Sequence, residues 1–272
     1  MYGALLTIPV GFTGASAYNA ATGDWKRARG YAFYAWMGYL SLPLSAVMLV
    51  GSPVALLVDG HTYRWGNYVQ TLWAQWTAAP FFSTAVFGSP PPTESPAIYV
   101  SNHQSWLDVF VLLPLDLGVK FVSKREIFWI PLVGWVMHII GHVELARGSK
   151  RSGSRALESC QRVLDAGHSV FFFAEGTRSR QLNADGVPAV QPFKMGAFKL
   201  ARDNPAVPIV PISIRGTHDM LPPDCETQLS ADVGGISVRF HEPVFVAEDN
   251  DLGSVSEGVR RVIVDGLRAG KW

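Results

Sequence analysis

A chain of 272 residues is long enough for one large or two small domains with a sizeable core. With 48% hydrophobic and 17% charged residues, it is not a disordered, collagen-like or coiled-coil sequence. A net charge of +1 argues against nucleic acid as a partner. The cysteines, Cys160 and Cys225, have no Cys-x-x-Cys spacing and are too few for a disulfide scaffold or a structural zinc site.

Charge divides the chain. Residues 1–100 carry seven charged side chains, and the other 172 residues carry 38. A membrane-associated helical region over 1–88 and a water-facing domain over 97–272 are expected. The first 23 residues are uncharged, with Ala15-Ser16-Ala17 as a cleavage-like triplet. They lack a basic start, and Pro9 and Gly11 interrupt the apolar run, so a signal peptide is not expected. Lys26, Arg27 and Arg29 then precede residues 31–58, which contain no charge. That run exceeds the roughly 20 residues a spanning helix needs. Pro43 and Pro53 also suit two shorter membrane-dipping helices, and a hydrophobic core helix is the soluble alternative. By the positive-inside tendency, the basic start faces the cytoplasm or an equivalent compartment. Trp73, Trp76, Phe81, Phe82 and Phe87 are expected at the membrane interface. Residues 89–96, rich in proline, read as a linker.

From residue 97 onward, apolar runs alternate with helical stretches. Strands are predicted at 97–101, 119–123, 142–146, 169–174, 208–214 and 236–240. Helices are predicted near 104–113, 124–140 with a break at Pro131, 152–166, 195–203 and 254–268. Runs such as Phe171-Phe172-Phe173 suit strands covered on both faces. The fold class is therefore α/β, with a mixed, largely parallel sheet flanked by helices. Such a domain is expected to fold after removal of 1–88. Residues 117–202 hold 13 basic and six acidic side chains, and residues 203–272 hold six and eleven. A basic half on a neutral chain suits an anionic ligand or membrane surface, although the charges could also cancel in three dimensions.

Four segments carry chemistry. Asn102-His103-Gln104-Ser105-Trp106-Leu107-Asp108 follows a strand. Histidine is the base best matched to neutral pH, and a carboxylate on its other nitrogen fixes the tautomer. Five-residue spacing does not place both on one helix face. If they touch, His103 sits in the turn, Asp108 lies one turn in, and Ser101 or Asn102 caps the helix. On spacing alone, an incidental Asp is the stronger reading. The second segment, Phe173-Ala174-Glu175-Gly176-Thr177-Arg178-Ser179, sets an arginine fork and a permissive glycine where α/β sheets place ligands. Third, the prolines of Pro208-Ile209-Val210-Pro211-Ile212 belong at an edge or a bulge, so this strand borders something, a structural edge or a site wall alike. Fourth, Gln191–Lys199 opens a helix at which Lys194 could meet an anion, or is a plain amphipathic helix start. His138 and His142 are separated by Gly141 at a helix-to-strand change, so no metal pair is expected.

In order and spacing, these segments resemble the glycerolipid acyltransferase family, specifically the 1-acylglycerol-3-phosphate acyltransferases. The likeness rests on Asn-His-x-x-x-x-Asp, Phe-x-Glu-Gly-Thr-Arg-Ser and the two-proline strand, with Lys120–Arg147 between the first two. It covers residues 97–218, with Ala174 where proline often stands, and assigns nothing to 219–272. The resemblance implies acyl transfer from acyl-CoA or acyl carrier protein thioester to the sn-2 hydroxyl of lysophosphatidic acid, at a bacterial inner membrane or chloroplast envelope. It implies no cofactor beyond the thioester co-substrate, and a lipid bilayer as partner. His103 would deprotonate the hydroxyl and Asp108 would orient the imidazole. Lys124, Arg147 and Arg178 would surround the phosphate, with Glu175, Gly176 and Thr177 shaping the pocket. Other acceptors, such as glycerol 3-phosphate or another lysophospholipid, suit the same chemistry. A His/Asp hydrolase and a non-catalytic lipid-binding protein are the readings from other classes.

Overall fold

The computed structural model describes residues 2–59, 63–91, 95–130, 132–146, 150–184, 186–231 and 235–269. Three helices form the front: α1 (Tyr2–Ala21), α2 (Trp25–Asp59) and α3 (Tyr63–Ala78). Gly23, at φ +84°, turns the chain between the first two. The helices then approach closely: Ser16 Oγ donates to the Ala28 carbonyl at 2.8 Å, and a Cβ on Gly38 would lie 2.7 Å from Pro9 Cγ. Pro43 and Pro53 do not divide α2, which runs on through both. It is the one helix among the described residues long and apolar enough to cross a membrane, and 22% of its most apolar stretch is buried. Phe33, Met48 and Ser52 face the fold, whereas Val47, Val50, Val54 and Leu57 are exposed.

The remaining strands are β1 (Thr84–Phe87), β2 (Ile98–Ser101), β3 (Val119–Lys124), β4 (Val143–Leu145), β5 (Ser169–Phe173), β6 (Ile209–Arg215) and β7 (Ile236–Phe240). Between and after them lie α4 (Asp108–Leu112), α5 (Arg125–Phe128), α6 (Val133–Ile140), α7 (Lys150–Asp165), α8 (Gly196–Arg202), α9 (Thr217–Met220) and α10 (Leu252–Arg268). The strands form one sheet in the order β1-β7-β6-β2-β5-β3-β4. Five neighbours, β6 through β4, are parallel; β7 pairs antiparallel with β6, and β1 parallel with β7. Side chains alternate between two cores. Tyr99, Phe171 and Ile212 enter one, while Ile98, Val100, Val170 and Ile209 enter the other with Phe198 and Ile263.

Several expectations change. Strand β1 comes from within residues 1–88, so the sheet reaches across the expected boundary ahead of the 89–96 segment, of which 92–94 lie outside the described residues. Phe33 of α2 belongs to the same apolar core as Tyr99, with Trp73, Phe81 and Phe82 packed against it. These aromatics therefore cover the sheet, and the α/β part does not stand free of the front. Pro131, the expected break, also lies outside the described residues, but α5 ends and α6 begins on either side of it.

The two-proline strand β6 is central rather than an edge. Pro211 pairs with Val100 on the β2 side, and its carbonyl accepts from His241 N–H at 3.0 Å on the β7 side. Having no N–H to return, Pro211 sits where the β7 ladder ends, so a proline is tolerated inside the sheet.

A polar seam joins α3 to the β3–β4 edge. Lys120 is fully buried, and its Nζ donates to Asn67 Oδ1 at 2.7 Å. His142 Nδ1 accepts from Phe121 N–H at 3.0 Å, which leaves Nε2–H to face Gln70 Oε1 at 2.7 Å. Burial, and then the nearby Lys120, push the His142 imidazole down to about 3. Its folded value lies below its ordinary 6.5, so its contribution is fully present above pH 6.5 and declines as pH falls toward 3. In that window the unfolded chain takes up a proton that the folded chain refuses, a slope of about 1.4 kcal/mol per pH unit. Unfolding free energies of the wild type and His142→Gln measured from pH 7 to 4 are expected to differ by that slope. Parallel profiles would remove His142 from the pH dependence.

Candidate active site

The chemistry-bearing segments meet at the carboxyl ends of β2, β3 and β5. Ser101 pairs with Phe173 in register, so the turns leaving β2 and β5 lie side by side. His103 Nδ1 lies 2.8 Å from Asp108 Oδ2. The same carboxylate oxygen accepts from the backbone N–H of Gln104 at 2.7 Å and of Ser105 at 3.1 Å. With the carboxylate acting as acceptor, Nδ1 carries the proton and Nε2 the lone pair.

The local geometry differs from the expected helix over 104–113. The chain from 102 to 107 stays irregular, and Asp108 is itself the first residue of α4. Its side chain folds back to receive the donors of that turn, which brings a five-residue separation into contact. Neither Ser101 nor Asn102 caps the helix. Asn102 instead clasps β6, donating to the Ile214 carbonyl and accepting from Ile214 N–H, both at 2.9 Å. Ser105 Oγ donates to the Leu221 carbonyl at 2.7 Å.

The β5 turn holds His103 from the other side. Glu175 is 2% exposed. Its Oε1 accepts from His103 N–H at 2.7 Å, and Oε2 from Ser179 Oγ at 2.6 Å and Gln191 N–H at 2.8 Å. Ser179 N–H returns a bond to the His103 carbonyl at 2.8 Å. Burial raises the Glu175 carboxyl above its ordinary value, and the bonds from Ser179, Gln191 and His103 oppose that rise. Both its oxygens are thus engaged by the protein, so Glu175 braces the turn that carries His103. Phe173 completes the mount: its ring stacks on the imidazole with centroids 4.0 Å apart and 20° between planes.

Gly176 (φ +71°) turns the chain, with Lys194 Cγ 3.5 Å from where a Cβ would stand. It and Thr177 are exposed, and Arg178 is half-buried and paired with Glu226. Lys124 ends β3 at the same edge of the sheet. Arg147 lies outside the described residues. Sequence reasoning had no role for Ser179, Gln191 or Glu226. The Glu175–Ser179 spacing was the available signal for the first, whereas Gln191 and Glu226 arrive by long-range folding.

An apolar cavity of ≈ 210 Å³ is lined by Phe173, the ring that stacks on His103, and not by His103 or Asp108 themselves. Trp106, Phe110, Phe121 and Phe173 line it from the α/β side, and Leu44 and Met48 from α2. The front therefore builds a wall of that cavity.

The family model described as Acyltransferase matches residues 86–215, which include His103, Asp108 and Glu175–Arg178. The chain is 39% identical over 222 residues to a chloroplastic 1-acyl-sn-glycerol-3-phosphate acyltransferase of Brassica napus, covering 81% of this chain and 62% of that protein. A 1-acyl-sn-glycerol-3-phosphate acyltransferase of Chlamydomonas reinhardtii is 38% identical over 243 residues, covering 89% of this chain and 70% of that one. The chain thus spans less than two thirds of the Brassica napus relative. The crystal structure of the 1-acyl-sn-glycerophosphate acyltransferase PlsC from Thermotoga maritima shares the fold, with a TM-score of 0.60 at 24% identity over 87% of this chain and 99% of that one.

Proposed function

The chain belongs to the acyltransferase family, and on that premise we propose that it transfers an acyl chain from a thioester to the sn-2 hydroxyl of lysophosphatidic acid, forming phosphatidic acid. The observation that carries this reading is the His103–Asp108 pair, mounted by Glu175 and by Phe173, whose ring also lines an apolar cavity. His103 Nε2 takes the proton of the acceptor hydroxyl as its oxygen attacks the thioester carbon. Asp108 stabilises the imidazolium through Nδ1–H. The tetrahedral intermediate collapses with cleavage of the C–S bond, and the imidazolium returns its proton to the departing thiolate. The acceptor supplies the hydroxyl that a serine would supply in a hydrolase, so no covalent acyl-enzyme forms.

Arg178 offers the fork for the acceptor phosphate, with Lys124 and Arg147 as further cations and Gly176 and Thr177 lining the approach. Glu175 positions His103 rather than touching substrate. The apolar cavity suits an acyl chain, of the thioester of acyl-CoA or acyl carrier protein or of the acceptor. The exposed Val47, Val50, Val54 and Leu57 of α2, together with Trp129, Ile130 and Trp135 near that cavity, support insertion into a bilayer. The chloroplast, named for the Brassica napus relative, and a bacterial inner membrane both provide such a surface.

An acceptor series tests the assignment. With a fixed acyl thioester, kcat/KM is expected to be highest for lysophosphatidic acid, with phosphatidic acid as product. Faster turnover of glycerol 3-phosphate or of a lysophospholipid with a larger head group would reassign the acceptor.

A further inference from the structure

The stretch after β6 has no place in the chemistry so far, yet it lies against the arginine turn. The Arg178 guanidinium pairs with the Glu226 carboxylate, and Arg180 with Asp224 at 3.5 Å. The segment bearing these acids is anchored on both sides. At its start, the Leu221 carbonyl accepts from Ser105 Oγ of the catalytic turn at 2.7 Å. Its far end reaches the basic end of α2: Leu229 N–H donates to the Lys26 carbonyl at 3.0 Å, and Tyr34 Oη to the Glu226 carbonyl at 2.7 Å. Gly30 admits the segment, since a Cβ there would lie 2.0 Å from the Thr227 carbonyl oxygen. The backbone of the segment is therefore held, while the Glu226 side chain is 44% exposed and has room to turn away.

We infer that Glu226 is a specificity-determining residue: its carboxylate occupies Arg178 in the free protein and must be displaced by the acceptor's phosphate. This rests on the reading of Arg178 as the phosphate fork. A carboxylate and a phosphate present similar paired oxygens to guanidinium, so both compete for the same donors. Glu226 thereby holds Arg178 extended before the acceptor arrives, at a cost in affinity: the apparent Kd is the intrinsic one divided by the fraction of protein in which the fork is free. The competition also discriminates. A phosphomonoester, carrying nearly two negative charges near neutral pH, displaces a single carboxylate more readily than a phosphodiester carrying one.

The test compares Glu226→Gln with wild type, as full chains in vesicles of one composition. Two acceptors are used: lysophosphatidic acid and its phosphomethyl ester, a small diester. Glu226→Gln is expected to lower KM for lysophosphatidic acid about two- to tenfold with little change in kcat, and to leave donor KM unchanged. Its preference for monoester over diester should narrow. Asp224→Asn, at an exposed pair, is expected to leave both ratios alone. Glu226→Asp, which keeps the charge on a shorter stem, should fall between wild type and Glu226→Gln. A raised or unchanged acceptor KM in Glu226→Gln, or an unaltered preference, would overturn the inference. Arg178→Lys run in parallel separates the two failures. If it raises acceptor KM while Glu226→Gln does not lower it, only the role of Glu226 falls. If neither changes acceptor KM, the phosphate reading falls as well.

Discussion

His103→Ala is expected to lower turnover by about 10²–10⁴, the range a positioned general base contributes. The fold should survive the change. The bonds that tie residue 103 into the site are made by its backbone, whose N–H donates to Glu175 and whose carbonyl accepts from Ser179. Only the stack on Phe173 and the bond to Asp108 disappear with the ring. Asp108 keeps its two backbone donors, so its charge is not left bare. KM for both substrates should change much less than kcat, because the imidazole acts on the proton rather than holding either substrate. A folded His103→Ala protein with wild-type turnover would refute the assigned base.

Arg178→Lys is expected to lower kcat/KM for lysophosphatidic acid by about tenfold or more. The substitution keeps the charge and removes the planar fork, and the two side chains are not equivalent where paired oxygens are bound. Hydrogen bonds to charged groups are worth about 1.5–3 kcal/mol, which sets the scale. Monoacylglycerol, which has no phosphate, should show a much smaller loss if it is turned over, and donor KM should hold. Arg178 is half-buried at the surface of the turn, so the effect on folding should be small. Equal losses on both acceptors would assign Arg178 to the fold or the donor.

The parts of this arrangement that were legible in the sequence share a physical cause. Continuous apolar runs such as Val170–Phe173 suit strands covered on both faces, and polar residues directly after them fall at the sheet's carboxyl edge. That locates His103 and the Glu175–Arg178 turn without any structure. Contact between His103 and Asp108 was legible through the family resemblance but not from the spacing, because it depends on an irregular turn whose donors are satisfied by Asp108 itself. The edge strand β1 was hidden because a four-residue strand has too few positions to show alternation, and it sits among front aromatics. The prolines of 208–212 left an edge and a bulge undecided for a related reason: Pro211 marks an interruption in hydrogen bonding to one neighbour, between the β7 ladder at Ile212 and the Ile209–Val244 bridge. The sequence did not show that Phe33 of the front joins the sheet's own core cluster or that Trp73 packs against it. Apolar composition alone does not say whether lipid or protein will cover a side chain.

The central claim is direct transfer from thioester to acceptor hydroxyl under His103 base catalysis. It is tested most directly by following thiol release from an acyl thioester with and without lysophosphatidic acid, with intact-protein mass measured during turnover. Thiol release is expected only with the acceptor present, matched one for one by phosphatidic acid and with no acyl-sized mass increase on the protein. Comparable thiol release without acceptor, yielding free fatty acid or an acylated protein, would contradict the account and point to a hydrolase or a covalent intermediate.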